Sequence, residues 1–174
     1  MDLHRLVLFV HVAAILGLFA ALAIEWVALR SLGRATSYEQ GREWTRVLNL
    51  LPAIGAPSVL AALLTGIYLA TTLGVWHLSW VGVAIPTLVI VAIAGGLTAP
   101  ARSRMRNTLG GNVGALPNAV RAQLSQTLWR RSLRLRSALL TGLLFEMTVR
   151  PDAGVWVMGG VAMMGVAWSA IMRS

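Results

Sequence analysis

Four stretches of this chain, Leu6 to Leu29, Val47 to Leu73, Trp80 to Ala99 and Val155 to Ile171, approach or exceed the length that a helix needs to cross a bilayer core. That length is roughly 20 apolar residues for about 30 Å of hydrocarbon. Backbone amides inside a bilayer have no water to bond, so continuous apolar runs of this kind are expected to be helical. A fifth, shorter stretch, Leu133 to Val149, carries Arg134, Arg136 and Glu146. It counts as a span because the helical run that begins after Pro117 feeds into it, and because Arg150, Pro151 and Asp152 make a hairpin into the last span. Pro151 disfavours helical geometry at Arg150, which sets the end of that fourth helix. The expected fold is all-α: one polytopic transmembrane helical bundle over residues 1–174, with five spans, or four as the alternative. A mean hydropathy of +0.72 with 57% hydrophobic and 12% charged residues agrees, being too apolar for a soluble domain of this size.

Orientation follows from arginine. Lysine and arginine together number 15 against 6 acidic residues, and the sequence contains no lysine. Arg30, Arg34, Arg42 and Arg46 fall in the first loop. Arg102, Arg104, Arg106, Arg121, Arg130, Arg131, Arg134 and Arg136 fall in or beside the third, and Arg173 follows the last span. Five alternating spans put all of these on one side and leave only Arg5 and Arg150 on the other. Short basic loops stay cytoplasmic, so the amino terminus is expected outside and the carboxyl terminus in the cytoplasm. Trp76, Trp80 and Trp156 then lie at the outer interface and Trp26, Trp44, Trp129 and Trp168 at the inner one, as in an aromatic belt. The apolar run after Arg5 is longer than a signal sequence core and is read as the first span. The basic balance serves topology and anionic headgroups, so membrane lipids rather than nucleic acid are the expected partners. With no cysteine, disulfides and thiolate chemistry are excluded.

Between the third and fourth spans, Pro100 to Leu116 holds Gly110, Gly111 and Gly114 and is expected to be a flexible cytoplasmic stretch. From Pro117, Val120, Leu124 and Leu128 recur at i, i+4 spacing opposite Arg121, Arg130 and Arg131. This predicts an amphipathic helix over about residues 118–136, on the inner leaflet or docked on protein.

The polar residues of the first span follow a pattern. His4, His11, Leu18 and Glu25 are seven apart and share one slowly drifting face. Ala13, Gly17 and Ala21 form a ladder of small residues leading to Glu25, which permits close helix approach; Ala138, Gly142, Glu146 and Arg150 repeat the device. His4, His11 and His77 all fall on the outer side, with Glu146 at similar height, so these four are the candidate metal ligands. His4 and His11 are about 10 Å apart along one helix and cannot be the two axial ligands of one haem. Glu25 lies deep on the inner side, where pairing with a cytoplasmic-end arginine is the simpler expectation than a proton relay. Met158, Met163, Met164 and Met172 read as packing residues rather than copper ligands. Pro52, Pro57 and Pro86 are expected to kink spans two and three and to open room for a cavity.

Leu3, His4, Arg5 and Leu6 through His11 and Gly17, then Gly66 to Leu69 with Trp76 and Trp80, Pro100 to Arg102, and Phe145 to Pro151 together resemble a bacterial family of small integral membrane proteins. That family is itself similar to copper-resistance D proteins and to the small membrane protoporphyrinogen oxidases, in which a first-span histidine binds haem. The resemblance implies residence in the bacterial cytoplasmic membrane and His11 as a haem or metal ligand. The lysine of the oxidases has no counterpart here. The expected function is a membrane redox or metal-handling protein holding haem b or copper near the outer face through His11, with His77 as the second ligand by depth and Glu146 beside it. The alternative is a non-catalytic subunit or assembly factor, packing through Ala13, Gly17, Ala21 and Gly142 against other membrane subunits or a second copy. A third reading, a proton-coupled carrier, requires a polar path from Glu25 to the outer histidines.

Overall fold

The computed structural model describes residues 2–120 and 127–149, and these form helices joined by turns and short loops, with no strand among them. The helices are α1 (Leu3–Leu32), α2 (Tyr38–Leu73), α3 (Ser79–Gly96), α4 (Ala99–Leu109) and α5 (Thr127–Val149). Three helical segments, Leu3–Leu32, Tyr38–Leu73 and Trp80–Leu109, are long and apolar enough to cross a membrane. The expected fourth span lies inside α5, whose charged first half keeps it out of that group. The expected last span, 155–171, lies outside the described residues.

Helix ends extend beyond the apolar runs that predict them. α1 continues to Leu32, and α2 starts at Tyr38, so the first basic loop shrinks to residues 33–37. The start of α2 is set by Ser37, whose hydroxyl accepts the Gln40 amide at 3.3 Å, with Glu39 in the first turn where the helix dipole favours a carboxylate. Its end is set by Gly74 at φ 65°, a left-handed position that a side chain would strain.

α1 and α2 form an antiparallel hairpin whose register is fixed by small residues. A β-carbon placed on Gly17 would sit 2.5 Å from Ser58 Oγ, one on Gly55 would meet Ala21 Cβ at 4.0 Å, and one on Gly66 would sit 3.2 Å from His11 Cε1. Near their other ends, α4 folds back on α2, where Leu109 packs 3.1 Å from the place a Gly41 β-carbon would take. α5 packs on α3, with Ser132 Oγ donating to the Ala94 carbonyl at 2.8 Å. Among the described residues Leu32, Leu48, Leu109 and Trp129 are the largest fully buried side chains, which places their tightest packing towards the arginine-rich end. Phe9, Leu16, Leu64 and Ile93 are exposed on the long helices, which suits a lipid surface and not water.

Two expectations change. The stretch after Pro100 is helical as far as Leu109 and not flexible throughout. Pro100 sits in the first turn of α4, where a missing N–H costs no hydrogen bond, and the glycines all fall after the helix. Residues 112–116 are then tied back to α2 and the loop before it: Arg42 Nη1 donates to the Asn112 carbonyl at 2.7 Å, the Gly114 amide donates to Glu39 Oε1 at 3.1 Å, and the Leu116 amide donates to the Thr36 carbonyl at 2.9 Å. Gly111 and Gly114, at φ 78° and 94°, make the turns this path needs. The amphipathic helix expected over 118–136 is, from Thr127 on, the same helix as the stretch expected to be the fourth span. Trp129, Leu133 and Arg136 are buried, so this part docks on protein.

Candidate functional site

The buried face of α1 consists of Ala14, Leu18, Ala21, Leu22, Glu25, Ala28, Leu29 and Leu32. It carries one carboxylate, and α5 answers it. Glu25 is 4% exposed, and its Oε1 accepts from Arg136 Nη2 at 2.6 Å and from Trp129 Nε1 at 2.7 Å. Arg136 and Trp129 are seven apart on α5, two helical turns, which brings a guanidinium and an indole N–H to the same oxygen. The pair is buried on both sides, with side chains 10% and 5% exposed.

A second arginine lies on the same wall. Arg102 Nη1 donates to Thr98 Oγ1 at 2.7 Å, and that buried hydroxyl donates in turn to the Gly95 carbonyl at 2.6 Å, closing the break between α3 and α4. Glu25, Arg102 and Arg136 all line a cavity of about 330 Å³ between α1, α2, α3 and α5. The remaining wall is apolar, including Leu22, Leu51, Leu63, Val91 and Leu140. Pro52 lines it as well, while Pro86 does not. Among the described residues that line it, two guanidiniums face one carboxylate, which gives the polar end of the cavity a net positive charge in surroundings that screen it poorly.

His11 lies at the other end of α1. Thr65 donates its hydroxyl to the Ala61 carbonyl, so the contact of 2.9 Å between Thr65 Oγ1 and His11 Nδ1 has the imidazole N–H donating. In the neutral ring this is the Nδ1–H tautomer, which leaves Nε2 as an acceptor. His11 lines a mostly apolar cavity of about 190 Å³ with Trp76, Trp80 and Met147, and also a void of about 20 Å³ that Met147 shares.

The other expected site residues are dispersed. His77 is exposed in the turn after α2, its Nδ1 3.1 Å from the Gly74 carbonyl, and it does not line the His11 cavity. His4 is half-buried near the start of α1, beside the Asp2–Arg5 pair. Glu146 is buried on α5, and among the described residues its Oε2 has no hydrogen-bond partner; Arg150, four residues on in the sequence, lies outside the described residues. Among the described residues no group of three or more histidines and carboxylates stands close enough to share a metal ion. Of the packing residues, Gly17 and Ala21 face α2 and Gly142 is buried, whereas Ala13 is exposed, off the buried face. Met158, Met163, Met164 and Met172 lie outside the described residues.

Sequence reasoning placed Glu25 on the inner side but did not find Arg136, Trp129, Arg102 or Thr98 as its neighbours, nor Thr65 as the partner of His11. Comparison of the chain with protein-family models, with curated proteins and with solved structures gives no match.

Proposed function

We propose that this chain is a membrane-embedded binding protein for an amphiphilic anion, held in the cavity at the arginine-rich end of the bundle. The observation that carries the reading is the wall on which, among the described residues, Arg102 and Arg136 face one carboxylate, that of Glu25. Glu25 compensates one guanidinium. The other is best matched by a carboxylate or phosphate on the ligand, with an apolar body lying along Leu22, Leu51 and Leu63. A volume of about 330 Å³ falls at the small end of small-molecule sites, which run from roughly 300 to 1,000 Å³. Among the described residues the rim is formed by exposed Pro52, Ala56 and Leu60 of α2 and Ala92 and Gly96 of α3, consistent with entry between these two helices.

Native mass spectrometry of the full chain in neutral detergent tests this, with oleate as probe and oleyl alcohol as its uncharged counterpart. Oleate is expected to bind and the alcohol not, with Arg102→Gln weakening oleate about tenfold. Equal retention of acid and alcohol, or an unchanged Arg102→Gln protein, overturns the reading.

A second reading, metal handling at His11, is favoured by the tautomer that Thr65 imposes, because Nε2 is the atom that a metal would take. Met147, which lines the same cavity, supplies a thioether of the kind that suits copper. His11 and Met147 are the residues that would hold the ion, and copper would supply one-electron chemistry. A cavity of about 190 Å³ lies below the usual range for a ligand of porphyrin size, so of haem b and copper the described residues favour copper. Elemental analysis together with an absorption spectrum decides it: copper lost in His11→Ala supports the reading, and neither copper nor a Soret band removes it.

A further inference from the structure

A second polar cavity, of about 380 Å³, opens between the end of α1 and the start of α5. Arg30 and Arg34 line it from α1, and Arg130 and Arg134 from α5. No acidic residue is among the described residues that line it. Gly33 forms its floor, where a β-carbon would come 2.8 Å from Arg130 Nη2, so the guanidinium lies directly over bare backbone. Leu29 and Leu133 close the inner side, and Trp26, 45% exposed, flanks it.

The exposed guanidiniums of Arg30, Arg34 and Arg130 share this cleft, and like charges gathered there repel one another unless an anion joins them. An anion that accepts several N–H donors in paired geometry satisfies them best, and a phosphate group does this. The surroundings point the same way: the cleft ends a helix long and apolar enough to cross a bilayer, and an exposed tryptophan beside it is at home among headgroups. It is distinct from the Glu25 cavity, since no described residue lines both.

We propose that this cleft is a phosphate-binding site, filled by the headgroup of an anionic phospholipid or by free phosphate. The full chain, delipidated in neutral detergent at low ionic strength, is titrated with phosphatidylglycerol, with phosphatidylcholine and with inorganic phosphate, and bound species are read by native mass spectrometry. Phosphatidylglycerol is expected to bind about tenfold more tightly than phosphatidylcholine, and Arg30→Gln with Arg130→Gln to abolish that preference. Arg104→Gln, exposed on α4 and outside the cleft, is expected to leave it intact. Gly33→Leu, which fills the floor and keeps every charge, is expected to weaken binding as well, and the thermal transition of each variant shows that it is folded. Arginine-dependent binding of inorganic phosphate without a preference for phosphatidylglycerol retains the site and assigns it to the free anion. Equal retention of both lipids with no phosphate binding, or a loss in Arg104→Gln as large as in the cleft variants, overturns the proposal.

Discussion

Replacing Glu25 with leucine leaves Arg136, at the 2.6 Å contact, as a buried cation without its counterion, and Trp129 as a buried indole N–H without its acceptor. Breaking a buried ion pair from one side costs about 3–5 kcal/mol. A stranded buried donor costs about 1–3 kcal/mol, and the two losses overlap because both converge on one oxygen. Ordinary hydrogen bonds between membrane helices average only about 0.6 kcal/mol, because the unfolded chain in lipid finds other partners. The charge therefore decides the outcome, and the expected loss is about 4 kcal/mol. At roughly 2–4 °C per kcal/mol for a chain of this size, thermal unfolding should fall by about 10 °C. The test is a cycle of Glu25→Leu, Arg136→Leu and both together, read by thermal or denaturant unfolding in detergent. The double variant removes the isolated charge and should recover at least about 2 kcal/mol over the sum of the single losses. Arg102→Gln should hold or raise stability, since it removes the excess positive charge. A loss below about 1 kcal/mol for Glu25→Leu, or additive single losses, would refute the electrostatic account of this cluster.

Three further outcomes are expected. Gly17→Ile pushes a branched side chain into Ser58 and should destabilise the α1–α2 hairpin by about 1–3 kcal/mol in the same unfolding assay, with Ala13→Ile near neutral because Ala13 is exposed. Thr65→Val removes the acceptor for His11 Nδ1–H, so the imidazole nitrogen resonances should lose their single-tautomer pattern. The Glu39 carboxyl is held below its ordinary range first by its own backbone amide, then by the Gly114 amide and the Ser37 hydroxyl. A lowered folded-state value means that its contribution is fully present above the ordinary glutamate range and is lost as pH falls through the lowered value. Protection of the Gly114 amide from hydrogen exchange should therefore fall on the acid side of that range, and Glu39→Gln should flatten the dependence.

Much of the helical plan was legible because continuous apolar runs leave few alternatives. Leu6 to Leu29 and Val47 to Leu73 fall wholly within α1 and α2. Their ends were harder to place, because apolar length marks where a chain suits lipid and not where a helix stops; capping by Ser37 and Gly74 sets the ends of α2. The pairing of Glu25 was half legible. Charges inside spans are expected to pair, and Arg136 was already one of the charged residues of the short fourth stretch. What hid the pair was the division of 118–136 and 133–149 into a surface helix and a span. That division treated the arginines from Arg130 to Arg136 as headgroup contacts, whereas one continuous α5 turns Trp129 and Arg136 inward together. The clustering of histidines by depth shows the opposite failure. Depth fixes one coordinate only, and among the described residues His11 shares its cavity with Met147 and not with His77.

The distance between Glu25 and His11 bears on the anion-binding, metal-handling and carrier readings. Fourteen residues separate them on α1, about 21 Å of helix rise. The face between them presents Ala14, Leu18, Ala21 and Leu22, all buried and all apolar. Leu18 and Leu140 line both the Glu25 cavity and the small void beside His11, so they stand as a septum between the two. A void of about 20 Å³ with almost no polar lining holds no chain of waters, which need several polar partners each. Among the described residues no polar path crosses the septum, which counts against a proton-coupled carrier and leaves two independent sites. Independence has a measurable form: sites this far apart with no shared partner should contribute additively, so Glu25→Leu and Thr65→Val should sum within about 0.5 kcal/mol. Coupling well beyond that would mean that the septum opens, and would return the carrier to contention.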